Sequence, residues 1–303
     1  MNRRDLFRLS TALGLGAAAG PSLAVSGRAA PTPDGRATAP LQPPSEGSIP
    51  VAFLLSQNAE VIDFAGPWEV FDNVGIPGQD NAAAFQLYTV AETLEPIRAT
   101  GGMTIVPNHT FATAPAPKVI VIPAQSAPTD PVLAWVREVS RGADLTMSVC
   151  TGAFLLAKTG LLSGRPATTH HNHYGRFAML YPDVELKRGA RYVESGKFAS
   201  AGGLSSGIDL ALRVVERYFG RAVAAKTADA MEYQGQGWLD PDSNKAYAQR
   251  RVSTDLHPLC PVCDMDVAKA TAPSSVYRKR TYYFCMDAHK AAFDGNPVSF
   301  AVK

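Results

Sequence analysis

Three groups of residues in the 303-residue chain have types and spacings that could carry chemistry. The first centres on Cys150 in SVCTGAFLLAKTG, which reads as strand, tight turn and helix, with Cys150 on the turn and Gly152 letting the backbone bend sharply. This is the shape of a nucleophile elbow without the G-x-S-x-G spacing. Free N–H groups at the helix start favour a thiolate, lower the thiol pKa and can hold an oxyanion. The same residue type is also at home as a small buried core side chain. The second group is Cys260-x2-Cys263 followed by Cys285-x3-His289. A knuckle with two soft ligands, plus a Cys and a His one helical turn apart, makes a Cys3His tetrahedral set suited to zinc or, being thiolate-rich, to Cu(I). A disulfide among these cysteines is the competing reading. The third is His170, His171 and His173 in TTHHNHYG. On a strand His171 and His173 would share one side and His170 the other, which is a weak metal signal. A place for His170 near a pocket or dimer interface fits better.

Elements that position these groups follow from hydrophobic patterning. PVAFLLS (50–56), FQLYTVAE (85–92), KVIVIPA (118–124) and LTMSVC (145–150) read as buried strands. Between them fall helical stretches: around Pro67–Val74, with Pro67 in the first turn; Pro131–Arg141, with Asp130 as N-cap; and 153–160, ending at Gly160. In 208–219, Ile208, Leu212, Val215 and Phe219 share one face, and Asp209 at its start would complement the helix dipole. Strands alternating with helices predict an α/β fold: a doubly wound, mainly parallel sheet with helices on both faces. Ligands of such sheets bind at the carboxyl ends of strands, where Cys150 falls.

The ends of the chain read differently. Residues 1–30 hold Arg3, Arg4, Arg8 and Arg28 against Asp5, then a weakly apolar Ala- and Gly-rich run too short for a stable membrane span. The net charge of +2 therefore leaves −1 for the remainder, so nothing advertises nucleic acid as a partner. Residues 31–48 are Pro-rich and read as a flexible linker. Residues 236–256 are polar and irregular and read as a second linker, leaving 257–303 as a unit so small that a metal staple has a thermodynamic reason.

VIDFAGPWEVFDNVG, SVCTGAFLLAKTGLLSGRPATTHH and SAGGLSSGIDLALRVVERYFG, three separated motifs in order, resemble the ThiJ/PfpI superfamily (class I glutamine-amidotransferase-like) over residues 49–235. The likeness runs to its isonitrile-hydratase branch and to sensory domains of AraC-type regulators. It implies a flavodoxin-like fold, a homodimer, a small-molecule substrate, no cofactor in the α/β domain, and Cys150 as nucleophile. It further implies Asp63 as the acidic partner of the cysteine, protonated and acting as general acid/base, and Thr151 supplying a backbone N–H beside the substrate. Thr151 after Cys150 disfavours a Cys-His protease dyad. The family often has Gly-Gly where this chain reads IPAQ, so Ala124 and Gln125 would narrow or repolarise a pocket that also includes Gly152 and His170. The start of the chain resembles a twin-arginine export signal, with cleavage after Ala24, Ala29 or Ala30, implying a periplasmic protein exported folded. Residues 257–303 resemble a YHS domain, with Asp264 in place of Gly and His289 in place of the last Cys. Together these imply an exported cysteine hydratase or hydrolase acting on an isonitrile or carbonyl carbon. The alternative is a periplasmic metal- or redox-responsive binding protein without catalysis.

Overall fold

A computed structural model describes residues 38–78, 83–249 and 251–300. The leader with Arg3 and Arg4 lies outside them. Seven strands form one sheet: β1 (Ile49–Leu54), β2 (Phe85–Ala91), β3 (His109–Thr110), β4 (Val119–Ile122), β5 (Leu145–Ser148), β6 (Tyr192–Ser195) and β7 (Phe198–Ala201). Their order is β6-β7-β5-β4-β1-β2-β3, parallel except for the β6–β7 hairpin at one edge. The helices are α1 (Val61–Asp72), α2 (Asp130–Gly142), α3 (Gly152–Lys158), α4 (Tyr174–Leu180), α5 (Ser206–Phe219) and α6 (Arg221–Ala230). Side chains alternate along the strands as a doubly covered sheet requires. Val51, Phe53, Val119 and Val121 pack with α1, α5 and α6, whereas Ala52, Leu54, Ile120 and Ile122 pack with α2 and α3. The doubly wound α/β sheet expected from the pattern and the flavodoxin-like fold implied by the resemblance are therefore present.

Local details differ from expectation. Helix α1 begins at Val61, so Pro67 lies inside it rather than in its first turn. Having no N–H, Pro67 cannot return the helical hydrogen bond to the Asp63 carbonyl. The N-cap of α2 is Thr129, whose Oγ1 accepts from the Val132 N–H at 3.4 Å, and Asp130 moves into the first turn. Asp209 does more than face the helix dipole. It is fully buried and ion-paired with Arg191, whose Nε donates to Asp209 Oδ2 at 2.6 Å.

Parts of both segments read as linkers are docked on the α/β core. Leu41 N–H donates to the Arg217 carbonyl at 2.8 Å, and Arg217 donates to the Ala39 carbonyl. Trp238 is buried with its carbonyl accepting from the Tyr192 hydroxyl at 3.0 Å, and Asn244 Oδ1 accepts from Arg191. Scattered hydrogen bonds and the isolated apolar side chains Leu41, Trp238 and Leu239 hold these stretches, with no hydrophobic periodicity to mark them in the sequence. The C-terminal unit adds a hairpin of β8 (Ser274–Tyr277) and β9 (Arg280–Tyr283), then α7 (Asp287–Gly295), around Tyr282, Phe284 and Phe293. No helix among the described residues is long and apolar enough to cross a membrane.

Candidate active site and metal centre

Cys150 follows β5 at the carboxyl edge of the sheet and takes φ of 56°, a left-handed conformation that costs a non-glycine residue energy. The sharp bend thus falls on Cys150 itself. Gly152 serves close approach instead, since a Cβ there would lie 2.1 Å from the Ile122 carbonyl oxygen. The strained turn is held from three sides. Cys150 N–H donates to Gly202 O at 2.8 Å, Thr169 Oγ1 donates to Cys150 O at 2.8 Å, and Gly152 N–H donates to Val149 O at 2.9 Å. The backbone groups of Thr151 and Leu204 hydrogen-bond the sulfur.

Asp63, in the first turn of α1, is 0% exposed, and Cys150 is 7% exposed. Asp63 Oδ2 accepts from the Ala124 N–H at 3.0 Å, while Oδ1 is buried without a conventional hydrogen-bond partner. The neighbouring Cys150 thiol interacts with this carboxyl. Burial raises the Asp63 pKa to about 7, with the Glu60 charge adding to the rise and the Ala124 N–H opposing it. The low thiol pKa expected from the elbow alone is not what this environment produces. Burial first, then the Asp63 charge, pushes Cys150 up to about 12, against the smaller help of the Thr151 and Leu204 backbone groups. At rest Cys150 is therefore a neutral thiol, and Asp63 titrates near neutrality.

Ala124 contributes through its N–H, which survives replacement of glycine, and its carbonyl accepts from Glu60 N–H at 2.8 Å. Gln125, Thr151 and Gly152 line a cavity of about 340 Å³ beside the elbow, together with Pro123, Phe154 and His173. His170 is not among those lining residues. Its ring lies against Gly203, where a Cβ would meet His170 Cδ2 at 2.2 Å, and burial lowers its pKa to about 4. The histidine run is a one-turn helix, His171–His173, not a strand. The His170 and His171 rings stack at 4.4 Å, and His171 stacks on Tyr247 at 4.4 Å. Two contributors were missed from sequence, Leu204 and Glu60. Leu204 has φ of 48°, and its only trace in the sequence is the neighbouring glycine pair of SAGGLSSG.

Among the described residues, Cys260, Cys263, Cys285 and His289 form the one group of metal-type ligands whose atoms lie within 4.8 Å of one another. Cys260 Sγ and His289 Nδ1 are 3.6 Å apart, Cys263 and Cys285 sulfurs 3.5 Å, and Cys285 Sγ and His289 Nδ1 3.2 Å. Tetrahedral ligands at metal–sulfur distances of about 2.3 Å sit about 3.8 Å apart, so the donor set fits an ion with little movement. All four cysteines are free thiols in this structure. Cys285 precedes α7 rather than sharing a helical turn with His289. Asp264, where the resembling pattern has glycine, takes φ of 60°, which explains the glycine preference and why an aspartate is tolerated. The beginning of α4 packs on this knuckle. A Cβ on Gly175 would meet Asp264 Oδ2 at 2.5 Å and Cys263 O at 2.9 Å.

Residues 50–217 match the DJ-1/PfpI family. The chain is 28% identical over 191 residues to isonitrile hydratase of Pseudomonas putida, a match covering 61% of this chain and 79% of that protein. It is 26% identical over 183 residues to the HTH-type transcriptional regulator CdhR of Pseudomonas aeruginosa, covering 58% of this chain and 53% of the regulator. Among solved structures, a ThiJ/PfpI family protein from Pseudomonas syringae superimposes with a TM-score of 0.56 at 25% identity, covering 71% of this chain and 85% of that one.

Proposed function

The chain belongs to the DJ-1/PfpI family, which includes isonitrile hydratase and transcriptional regulators, and from that footing we propose that it is a cysteine-dependent hydratase or hydrolase acting on a small electrophilic carbon of the isonitrile or carbonyl class. The observation that carries this reading is a strained, buried cysteine coupled to a buried carboxyl that titrates near pH 7. A group with that pKa can both take and return a proton at neutral pH.

In the proposed cycle the Cys150 thiol passes its proton to ionised Asp63 as sulfur attacks the substrate carbon. The backbone groups of Thr151 and Leu204 steady the charge on sulfur while it is transferred. With an isonitrile, Asp63 then returns the proton to the same carbon, giving an N-substituted thioimidate. Water adds to that carbon, the carbon–sulfur bond breaks, and the products are the formamide and the free thiol. The high thiol pKa suits this concerted route, because no free thiolate has to accumulate.

The remaining parts of the proposal concern the whole protein. The first thirty residues direct folded export to the periplasm, and the α/β domain works as a homodimer. Residues 257–303 are a YHS-type module in which Cys260, Cys263, Cys285 and His289 hold a zinc or copper ion. Such an ion would brace a unit too small for a large core. The docking of the metal knuckle on α4 favours a second reading, a metal- or redox-responsive binding protein in which Cys150 is a sensor thiol. Turnover of isonitriles, glyoxals and amides by the full-length protein, with Cys150→Ala as control, separates the two. Product formation that disappears in Cys150→Ala supports the enzyme, and no turnover of any class would remove it.

A further inference from the structure

The cavity beside the elbow lies between α3, α4 and the loop after β4, and its walls are of two kinds. Pro123, Phe154, Leu155 and Tyr181 are hydrophobic or aromatic, as suits a small organic molecule. Lys158 and Arg176 bring two cationic side chains to the same space, and no Asp or Glu lines it. Among the described residues neither cation is in an ion pair. Arg176 instead lies over the Phe154 ring at 5.9 Å, a placement that leaves its donor fork unused by protein carboxylates. The third polar element is Gln125. Its Nε2 and Oε1 are both buried without a hydrogen-bond partner. Thr151 and Gly152, the two residues that follow the reacting cysteine, form part of the same wall.

We propose that this cavity receives the carboxylate of the substrate, with Arg176 and Lys158 binding it. The inference rests on the catalytic reading of Cys150 and narrows the substrate class to small electrophiles that carry a carboxylate. Arg provides the planar fork that a carboxylate matches, and Lys adds a point charge. The hydrophobic walls and the volume of about 340 Å³ favour an organic anion over a free inorganic one.

Isocyanoacetate and its methyl ester are suitable probes, because they differ only in the charge at issue. Calorimetric titration of the full-length Cys150→Ala protein measures binding without turnover. The acid is expected to bind at least about ten-fold more tightly than the ester, with a preference that shrinks as salt is raised. Lys158→Gln combined with Arg176→Gln should bring the acid down to the ester's affinity, with near-UV circular dichroism unchanged. Should that variant misfold, the salt dependence of the Cys150→Ala protein still decides. Acid and ester bound alike, neither bound, or a preference indifferent to salt and to both substitutions would each overturn the assignment. Inorganic phosphate competing as well as the acid would also overturn it, by making the cavity a general anion trap. Turnover of the ester by the unsubstituted protein separately measures the chemistry at Cys150. Its absence alongside acid-selective binding would remove the catalytic reading and leave the carboxylate site standing.

Discussion

At the scale of single residues, the Asp63–Cys150 pair joins stability and reactivity. A carboxyl whose pKa rises from 3.8 unfolded to about 7 folded is bound more tightly to its proton in the folded state. Its burial therefore costs nothing below about pH 4, costs progressively more as pH rises from 4 to 7, and reaches its full cost above 7. Asp63→Asn keeps an acceptor for the Ala124 N–H but carries no charge. Urea unfolding should show this variant more stable at pH 8, by an upper bound of roughly 4 kcal/mol, with the gain fading towards pH 4. A variant no more stable than the parent at pH 8 would mean that Asp63 is not raised as described. The same change should abolish proton return and most Cys150-dependent turnover. It should also make the thiol easier to ionise, because the Asp63 charge is one of the causes that raise the Cys150 pKa. Iodoacetamide should thus alkylate Cys150 more slowly than a free cysteine at pH 8, and faster once Asp63→Asn is introduced.

At the scale of elements, the elbow works because β4, β5 and α3 come unusually close. Gly152 marks the point of contact, with the Ile122 and Pro123 carbonyls occupying the space a Cβ would need. Gly152→Ala should push α3 away from β4, cost about 1–3 kcal/mol by overpacking, and displace Cys150 from Asp63. Thermal unfolding together with turnover would check this, the expected result being a loss of activity well beyond the loss of stability. The seam between α4 and the metal knuckle depends on Gly175 in the same way. Gly175→Val should leave the α/β domain folded while speeding proteolysis at residues 251–259. Unaltered cleavage there would show that the seam does not restrain the C-terminal unit.

At the scale of the whole molecule, the candidate metal ligands come from two ends of a small unit, Cys260 and Cys263 before its hairpin and Cys285 and His289 after it. An ion bridging them would close the unit, and structural zinc contributes on the order of 10 kcal/mol to folding of such modules. The purified full-length protein is expected to hold about one equivalent of zinc or copper, falling below half in Cys263→Ser, with α7 becoming protease-sensitive on chelation. A full complement of metal in that variant would remove the ligand assignment. The proposed export concerns the whole chain as well. Replacing Arg3 and Arg4 with lysine should sharply reduce periplasmic recovery in cell fractionation, and equal recovery would rule out the twin-arginine route.

What could be read from the amino-acid order alone was whatever depends on near neighbours in the chain. Alternating buried strands and amphipathic helices follow from local periodicity, so the doubly wound sheet and the position of Cys150 at a strand end were legible. Cys260 with Cys263, and Cys285 with His289, are close in sequence, so their pairing as ligands was legible too. The ionisation of Cys150 was not, because helix-start geometry is local whereas burial and the Asp63 charge come from an element nearly ninety residues away. Leu204 reaches the sulfur from the loop after β7, Gln125 is left unpaired by the packing around it, and residues 38–41 and 238–244 dock through scattered hydrogen bonds and isolated apolar side chains with no periodic signature. The dielectric around a group and the partners it meets are properties of the packed chain, and only the tertiary structure decides them.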